Sequence, residues 1–192
     1  MIILASKSPR RKQLLSMLGL EFTVQTADID ETMDPGQSPA HEVAAVSARK
    51  AAKIAKTAAA DDVVISADTI VVIDGAILGK PKDEQDAARM LRLLSGRTHT
   101  VYTGLTVCRG EHVSTQVVST QVTFRPLADA EIDAYIRTGE PMDKAGSYGI
   151  QGYGAMLVSH LDGDYFSVMG LPVCTLCQML RAAGVPILGQ AG

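Results

Sequence analysis

The sequence predicts an α/β fold: a mixed central sheet flanked by helices, with a cleft. Three observations predict it. Stretches of strand character alternate with stretches of helical spacing along the 192 residues. A long valine- and threonine-rich hairpin in the middle puts antiparallel strands into what would otherwise read as a parallel sheet. Apolar residues make up 46% of the chain, enough to bury a substantial core as one large domain or as two small lobes sharing a sheet.

Each element has its own signal. "MIILA" reads as a short buried strand. Ser8 then supplies an N-cap and Pro9 the first helical position of "RRKQLLSMLG", where Leu14, Leu15 and Leu18 form an apolar stripe and Gly19 stops the helix. "EFTVQT" is the next strand and "DIDETMDPGQSP" a polar, acidic loop; Ser38 and Pro39 open an alanine-rich helix running to about Ala60. "DVVISADTIVVIDGAIL" reads as strand with a turn at Asp74-Gly75, a favoured hairpin dipeptide. Asp83 caps "EQDAARMLRLL", which Gly96 ends. Thr98 to Phe124, broken once at "RGE", makes two long antiparallel strands. "LADAEIDAYIRTG" has helical spacing up to Gly139, "AMLVSHL" holds a strand, and "LPVCTLCQMLRAAG" is a last helix. No internal repeat, low-complexity tract or linker interrupts residues 1–192, which read as a single domain.

Composition narrows the function. A formal charge of −3 speaks against a large nucleic-acid surface, and three phenylalanines, five tyrosines and no tryptophan leave few platforms for stacking bases. No apolar run reaches the roughly 18 residues of a membrane span, and "MIILAS" lacks a basic leader, which points to a cytoplasmic protein without a membrane partner. Cys108, Cys174 and Cys177 cannot all pair and read as buried thiols. A small ligand is the better expectation.

Several stretches carry chemistry. In "SKSPRR", Arg10 and Arg11 sit in the first turn of a helix, where free N–H groups and the positive dipole end already attract anions. Guanidiniums are misplaced there against the dipole, which favours a phosphate site over a solvated surface turn. Asp68 interrupts the apolar strand "ISADTIVV"; it either holds a metal or activates water, or is satisfied by a neighbouring turn. Asp28, Asp30 and Glu31 either hold Mg²⁺ through oxygen ligands or face solvent.

"GAILGKPK" fails as a phosphate-binding P-loop, because three residues, not four, separate Gly75 from Gly79 and Pro81 stands where the hydroxyl belongs. Lys80 can still meet a phosphate as a point charge, though by itself it reads as a surface lysine. A lone C-x-x-C with scattered histidines is no zinc site. "GIQGYG" reverses the dinucleotide fingerprint and opens no helix, so a nicotinamide or flavin site is rejected. Between Thr138 and Ala155 five glycines surround Lys144, Asp143 and Gln151, which reads as backbone making room for a flat ligand beside polar side chains.

The ordered set "SKSPRR", "SADTIV", "GKP", "LSGRTH", "TGEPMDKAGSYGIQGYG" and "GLP" resembles the Maf family of nucleoside triphosphate pyrophosphatases across essentially the whole chain. The resemblance implies a twisted mixed sheet in an elongated α/β fold with two lobes around a cleft, similar to inosine-triphosphate pyrophosphatases. It implies hydrolysis of a nucleoside triphosphate to the monophosphate and pyrophosphate with a divalent metal cation, Mg²⁺ or Mn²⁺. Arg10, Thr69 and Gln151 match the Arg, Thr and Gln of the branch acting on dTTP and UTP; a sister branch preferring 7-methyl-GTP carries Trp, Gln and Glu there. A glutamine amide, both donor and acceptor, suits the imide edge of uracil or thymine.

The resemblance further implies that Asp68 is the proton acceptor and Glu31 a second acid, both metal ligands. Arg11, Lys50 and Lys80 would neutralise the phosphates, Lys80 ranking with the two acids as catalytic, and Ser8 would bond a phosphate through its hydroxyl. The family often has an arginine ahead of the Lys50 position where this chain has Ala45, with Arg49 as its nearest substitute. A homodimer is compatible with the resemblance. The competing function is a nucleotide-binding regulator of septum formation without turnover; the intact Asp68, Glu31 and Lys80 favour an enzyme.

Overall fold

A computed structural model describes residues 1–34 and 36–188. Among these residues seven strands form a mixed, open sheet in the order β2-β1-β3-β5-β6-β7, with β4 paired on β3. They are β1 (Ile2–Ala5), β2 (Phe22–Gln25), β3 (Val63–Ile73), β4 (Ala76–Leu78), β5 (Thr98–Arg109), β6 (His112–Phe124) and β7 (Val158–Asp162). The helices are α1 (Pro9–Ser16), α2 (Pro39–Ala55), α3 (Glu84–Leu94), α4 (Asp129–Arg137), α5 (Tyr165–Met169) and α6 (Val173–Ala182). The expected mixed sheet flanked by helices is therefore present. Among the described residues no helix is long and apolar enough to cross a membrane.

The chain divides into two compact units. One comprises Met1–Asp68, Thr103–Val118 and the residues from Gly170 onward; the other comprises Thr69–Tyr102 and Ser119–Met169. In the first unit β1 lies parallel to both β2 and β3, pairing Ile2 with Phe22 and with Val63. Its core joins Ile3, Ala5, Ala51, Ile54, Val64 and Cys108. Ser8 and Ser38 cap α1 and α2 by accepting the N–H groups of Arg11 and His41, each followed by proline in the first turn, as the sequence predicts. The alanine-rich helix stops at Ala55, short of Ala60, because the N–H and hydroxyl of Thr57 both turn back onto the Ile54 carbonyl.

In the second unit β3 and β4 form the expected antiparallel hairpin, with Asp74 and Gly75 both at positive φ (51° and 77°), as its two-residue turn requires. Asp83 caps α3 by accepting the Asp86 N–H. The core here packs α3 and α4 against the sheet through Leu91, Leu94, Val122, Phe124, Ile132 and Tyr135. Two features escape the sequence reading: α5, and three 3-10 turns at Glu140–Asp143, Ala145–Ser147 and Gly152–Leu157 in the glycine-rich segment.

The cysteines depart from the expectation of three buried thiols. All three are free and Cys108 is buried, but Cys174 is exposed and Cys177 half-buried. Helix α6 buries Leu176, Met179 and Leu180, and Cys174, two positions before Leu176, is rotated to the other side.

Candidate active site

The first unit builds its site from the packing of α2 on β3 and β5. Helix α2 buries Val43, Val46, Ser47, Lys50, Ala51 and Ile54, a stripe at helical spacing that includes a lysine. Ser47 and Lys50 stand nearly one helical turn apart, while Ser66 and Asp68 stand two residues apart on one face of β3, so the two pairs come into register. Ser66 Oγ donates to the Ser47 carbonyl at 2.6 Å and Lys50 Nζ donates to Asp68 Oδ1 at 2.7 Å. Close packing is possible because β5 carries Gly104 beneath α2: a Cβ there would run into the Val43 carbonyl oxygen. Ser47 Oγ also shares a hydrogen with Thr106 Oγ1 at 2.9 Å.

Lys50 Nζ holds a second carboxylate, Glu31 Oε1, at 2.9 Å. The side chains of Lys50 and Asp68 are 10% and 12% exposed, whereas Glu31 is 57% exposed. Glu31 reaches this point because the loop just after it is tied to α2 at two points. Arg49 donates to the Thr32 carbonyl at 3.2 Å, and buried Glu42 accepts the Asp34 N–H at 2.8 Å. Arg49 is thereby directed to the loop backbone. Asp30 turns inward on the loop, accepting both the N–H and the hydroxyl of Thr32 at 2.8 and 2.6 Å. Of the local trio Asp28, Asp30 and Glu31, only Glu31 is seen with Lys50 and Asp68, and among the described residues no three or more His, Cys, Asp or Glu gather as metal ligands.

Helix α1 contributes the second cation. Arg11 Nε donates to the Gly170 carbonyl at 2.7 Å, and its terminal nitrogen to Ser6 Oγ at 3.3 Å, while Ser6 Oγ also accepts the Ser8 N–H at 3.2 Å. Burial lowers the Arg11 pKa; Asp68 and Glu31 oppose the shift and Arg10 adds to it. Its charge therefore feels both acids. Arg10 is half-buried beside it.

The first unit thus brings together Arg11, Glu31, Lys50 and Asp68, with Ser8 capping α1. The remaining three expected residues belong to the second unit. Thr69, half-buried, follows Asp68 on β3. Lys80 is exposed between Gly79 and buried Pro81, and the Gly79 carbonyl accepts the Gly146 N–H at 3.1 Å, tying the Gly-Lys-Pro turn to the glycine-rich segment. Gln151, half-buried and extended, precedes the last 3-10 turn. Four glycines of that segment, Gly146, Gly149, Gly152 and Gly154, approach the protein's own atoms: a Cβ at Gly154 would collide with the Gly149 carbonyl and the Tyr135 hydroxyl. Sequence reasoning missed Ser6, Glu42 and the Gly170 carbonyl; for Lys50, its place in the buried stripe of α2 was a usable signal.

A divalent cation fits the donors present. Mg²⁺ and Mn²⁺ take oxygen ligands, and Mg²⁺ characteristically uses one or two carboxylates plus water and substrate phosphates. Glu31 and Asp68 meet on a single ammonium and are the two carboxylates such an ion would use.

The family model described as "Maf-like protein" matches residues 1–183. A protein of Bacillus pumilus named dTTP/UTP pyrophosphatase is 50% identical over 184 residues, covering 96% of this chain and 97% of that one. One of Moorella thermoacetica with the same name is 49% identical over 191 residues, covering 98% of each. Among solved structures, a nucleoside-triphosphatase / dITP/XTP pyrophosphatase from Mycobacterium abscessus aligns with a TM-score of 0.45 and 14% identity, over 94% of this chain and 93% of that one.

Proposed function

The chain belongs to the Maf-like protein family, and from that premise we propose that it hydrolyses dTTP and UTP between the α and β phosphates, releasing the monophosphate and pyrophosphate. The observation that carries the proposal is Lys50, held between Asp68 at 2.7 Å and Glu31 at 2.9 Å. Such hydrolysis needs an acceptor for the proton of the attacking water and positive charge on the departing pyrophosphate.

Asp68 is the acceptor. It stands on a buried strand, and the Lys50 contact fixes its orientation before substrate arrives. Arg11, Lys50 and Lys80 neutralise phosphate oxygens. Arg11 is oriented through Gly170 and Ser6, and the Ser8 hydroxyl donates to a phosphate from the N-terminus of α1. Glu31 and Asp68 are the residues that would hold Mg²⁺ or Mn²⁺, which when bound supplies charge neutralisation and polarisation of the phosphoryl group. Arg10, Thr69 and Gln151 select the nucleotide, the Gln151 amide offering a donor and an acceptor to the imide edge of the pyrimidine. Residues 1–192 act as one catalytic domain in the cytoplasm, without a nucleic-acid or membrane partner, and in a form compatible with a homodimer.

The test is pyrophosphate release from a panel of nucleoside triphosphates with Mg²⁺, comparing the native chain with Asp68→Asn. The expected result is turnover of dTTP and UTP above the purine nucleotides, falling on the order of 100-fold or more in the variant, the usual worth of a positioned base. Undiminished turnover in Asp68→Asn would remove the base. Tight nucleotide binding by both proteins without any turnover would make the chain a nucleotide-binding regulator of septum formation.

A further inference from the structure

The glycine-rich segment contains a knot of hydrogen bonds that the roles above leave unused. The Glu140 carboxylate accepts three. The Tyr135 hydroxyl donates to Oε1 at 2.8 Å, the Gly154 N–H to the same oxygen at 2.9 Å, and the Tyr153 N–H to Oε2 at 2.9 Å. The Tyr135 oxygen in turn accepts the Gly149 N–H at 3.1 Å. These groups bracket Gln151, since Gly149 precedes it by two residues and Tyr153 and Gly154 follow it by two and three. Both limbs of the loop that carries Gln151 are therefore tied to one carboxylate, directly or through one phenol.

The sequence around the knot is consistent with that role. Gly152 has φ +65° and faces the Glu140 carboxylate so closely that a Cβ would strike Oε2. Tyr135 is buried in α4, anchored with Ile132 and Ile136 in the core of its unit. Lys144 Nζ donates to the Glu140 carbonyl at 2.6 Å and pairs with Asp143 at 2.7 Å, holding the Glu140 backbone as well. Burial works to raise the Glu140 pKa, but the bonds from Gly154, Tyr135 and Tyr153 and the charge of Lys144 outweigh it, leaving the group below the ordinary carboxylate range. The free surface of the loop, by contrast, holds an exposed Tyr153 and a half-buried Gln151.

We infer that Glu140 and Tyr135 are positioning residues for pyrimidine selection, setting the backbone on both sides of Gln151 so that its amide is presented to the base in one orientation. The inference rests on the reading of Gln151 as the residue that contacts the base. A loop ordered in advance spares the binding step the entropy of ordering it, so its loosening weakens ground-state and transition-state binding alike.

Glu140→Gln tests this with little change of shape. The amide has one accepting oxygen, so whichever way it turns, an N–H group confronts a donor among Tyr135, Tyr153 and Gly154. The expected outcome is a KM for dTTP raised about tenfold, equal to about 1.4 kcal/mol, and a weaker calorimetric affinity for dTMP. The kcat should stay within about threefold, the signature of lost uniform binding. Tyr135→Phe should move KM in the same direction and carries the test should Glu140→Gln not fold. In a Gln151→Ala background, Glu140→Gln should add no further increase, because the two act through one contact.

A merely structural role would lower the melting temperature and the apparent kcat and leave KM in place. That result, or an undiminished Glu140→Gln effect in the Gln151→Ala background, overturns the inference while leaving the base-contact reading intact. If Gln151→Ala itself leaves the dTTP KM and dTMP affinity unchanged, the base-contact reading fails and the inference with it. A native chain that neither turns over dTTP nor binds dTMP has the same consequence.

Discussion

Replacing Lys50 with methionine should destabilise the chain far more than its loss of packing would suggest. Methionine matches the unbranched stem of lysine and keeps the buried stripe of α2 apolar. What it removes is the ammonium 2.7 Å from Asp68, whose side chain is 12% exposed. Breaking a buried ion pair at one partner costs about 3–5 kcal/mol, because the remaining charge stays buried. Arg11 also acts on Asp68, which places the cost at the lower end, about 3 kcal/mol. Glu31, 57% exposed, adds less than about 1 kcal/mol. For a chain of 192 residues each kcal/mol corresponds to about 2–4 °C, so the melting temperature by circular dichroism should fall by about 6–12 °C. The double variant Lys50→Met/Asp68→Asn should recover much of this, since no charge is left uncompensated. A Lys50→Met protein melting within about 2 °C of native, or a double variant melting below Lys50→Met, would refute the argument.

Two further variants probe the frame. Gly104→Ala should cost about 1–3 kcal/mol in guanidinium unfolding, because its Cβ would press on the Val43 carbonyl and lift α2 off β5; an unchanged midpoint would mean that the contact yields freely. Burial pushes the His99 imidazole down to about 4 from its ordinary 6.5, while its Nε2 pairs with the Tyr148 hydroxyl at 2.7 Å. The unfolded chain therefore binds the proton first, and the stabilisation from neutral His99 is full above pH 6.5 and lost as pH falls toward 4. His99→Gln, which keeps a partner for Tyr148 without titrating, should gain about 2–3 kcal/mol relative to native between pH 7.5 and 4.5 in urea unfolding. Parallel pH profiles for the two proteins would exclude His99 as the source.

Much of the site was legible one residue at a time. Arg10 and Arg11 stand out as cations at a helix start, and Asp68 as a carboxylate in an apolar strand, because each breaks a local rule that its neighbours obey. Lys50 breaks one too, sitting at a buried position of α2, but its meaning depends on Asp68, 18 residues away. The five glycines between Thr138 and Ala155 read as room for a ligand; several also bring the loop against Glu140, Tyr135 and Gly149. No sequence spacing distinguishes those two uses, since both require a missing Cβ.

The amino-acid sequence by itself determined where α1, α2 and α3 begin and where β3 turns into β4. Ser8-Pro9, Ser38-Pro39, Asp83 and Asp74-Gly75 act on N–H groups and dihedrals within four residues, so their effect does not depend on the rest of the chain. The tertiary structure alone decided which charges meet. The ammonium of Lys50 reaches Asp68 and Glu31 only once α2 lies on β3 and the acidic loop is tied down by Arg49 and Glu42. The carboxylate of Glu140 reaches the Gly149 limb of the Gln151 loop only once α4 has placed Tyr135. A long side chain has many rotamers in the unfolded chain, and it is the burial of its neighbours that leaves it one partner.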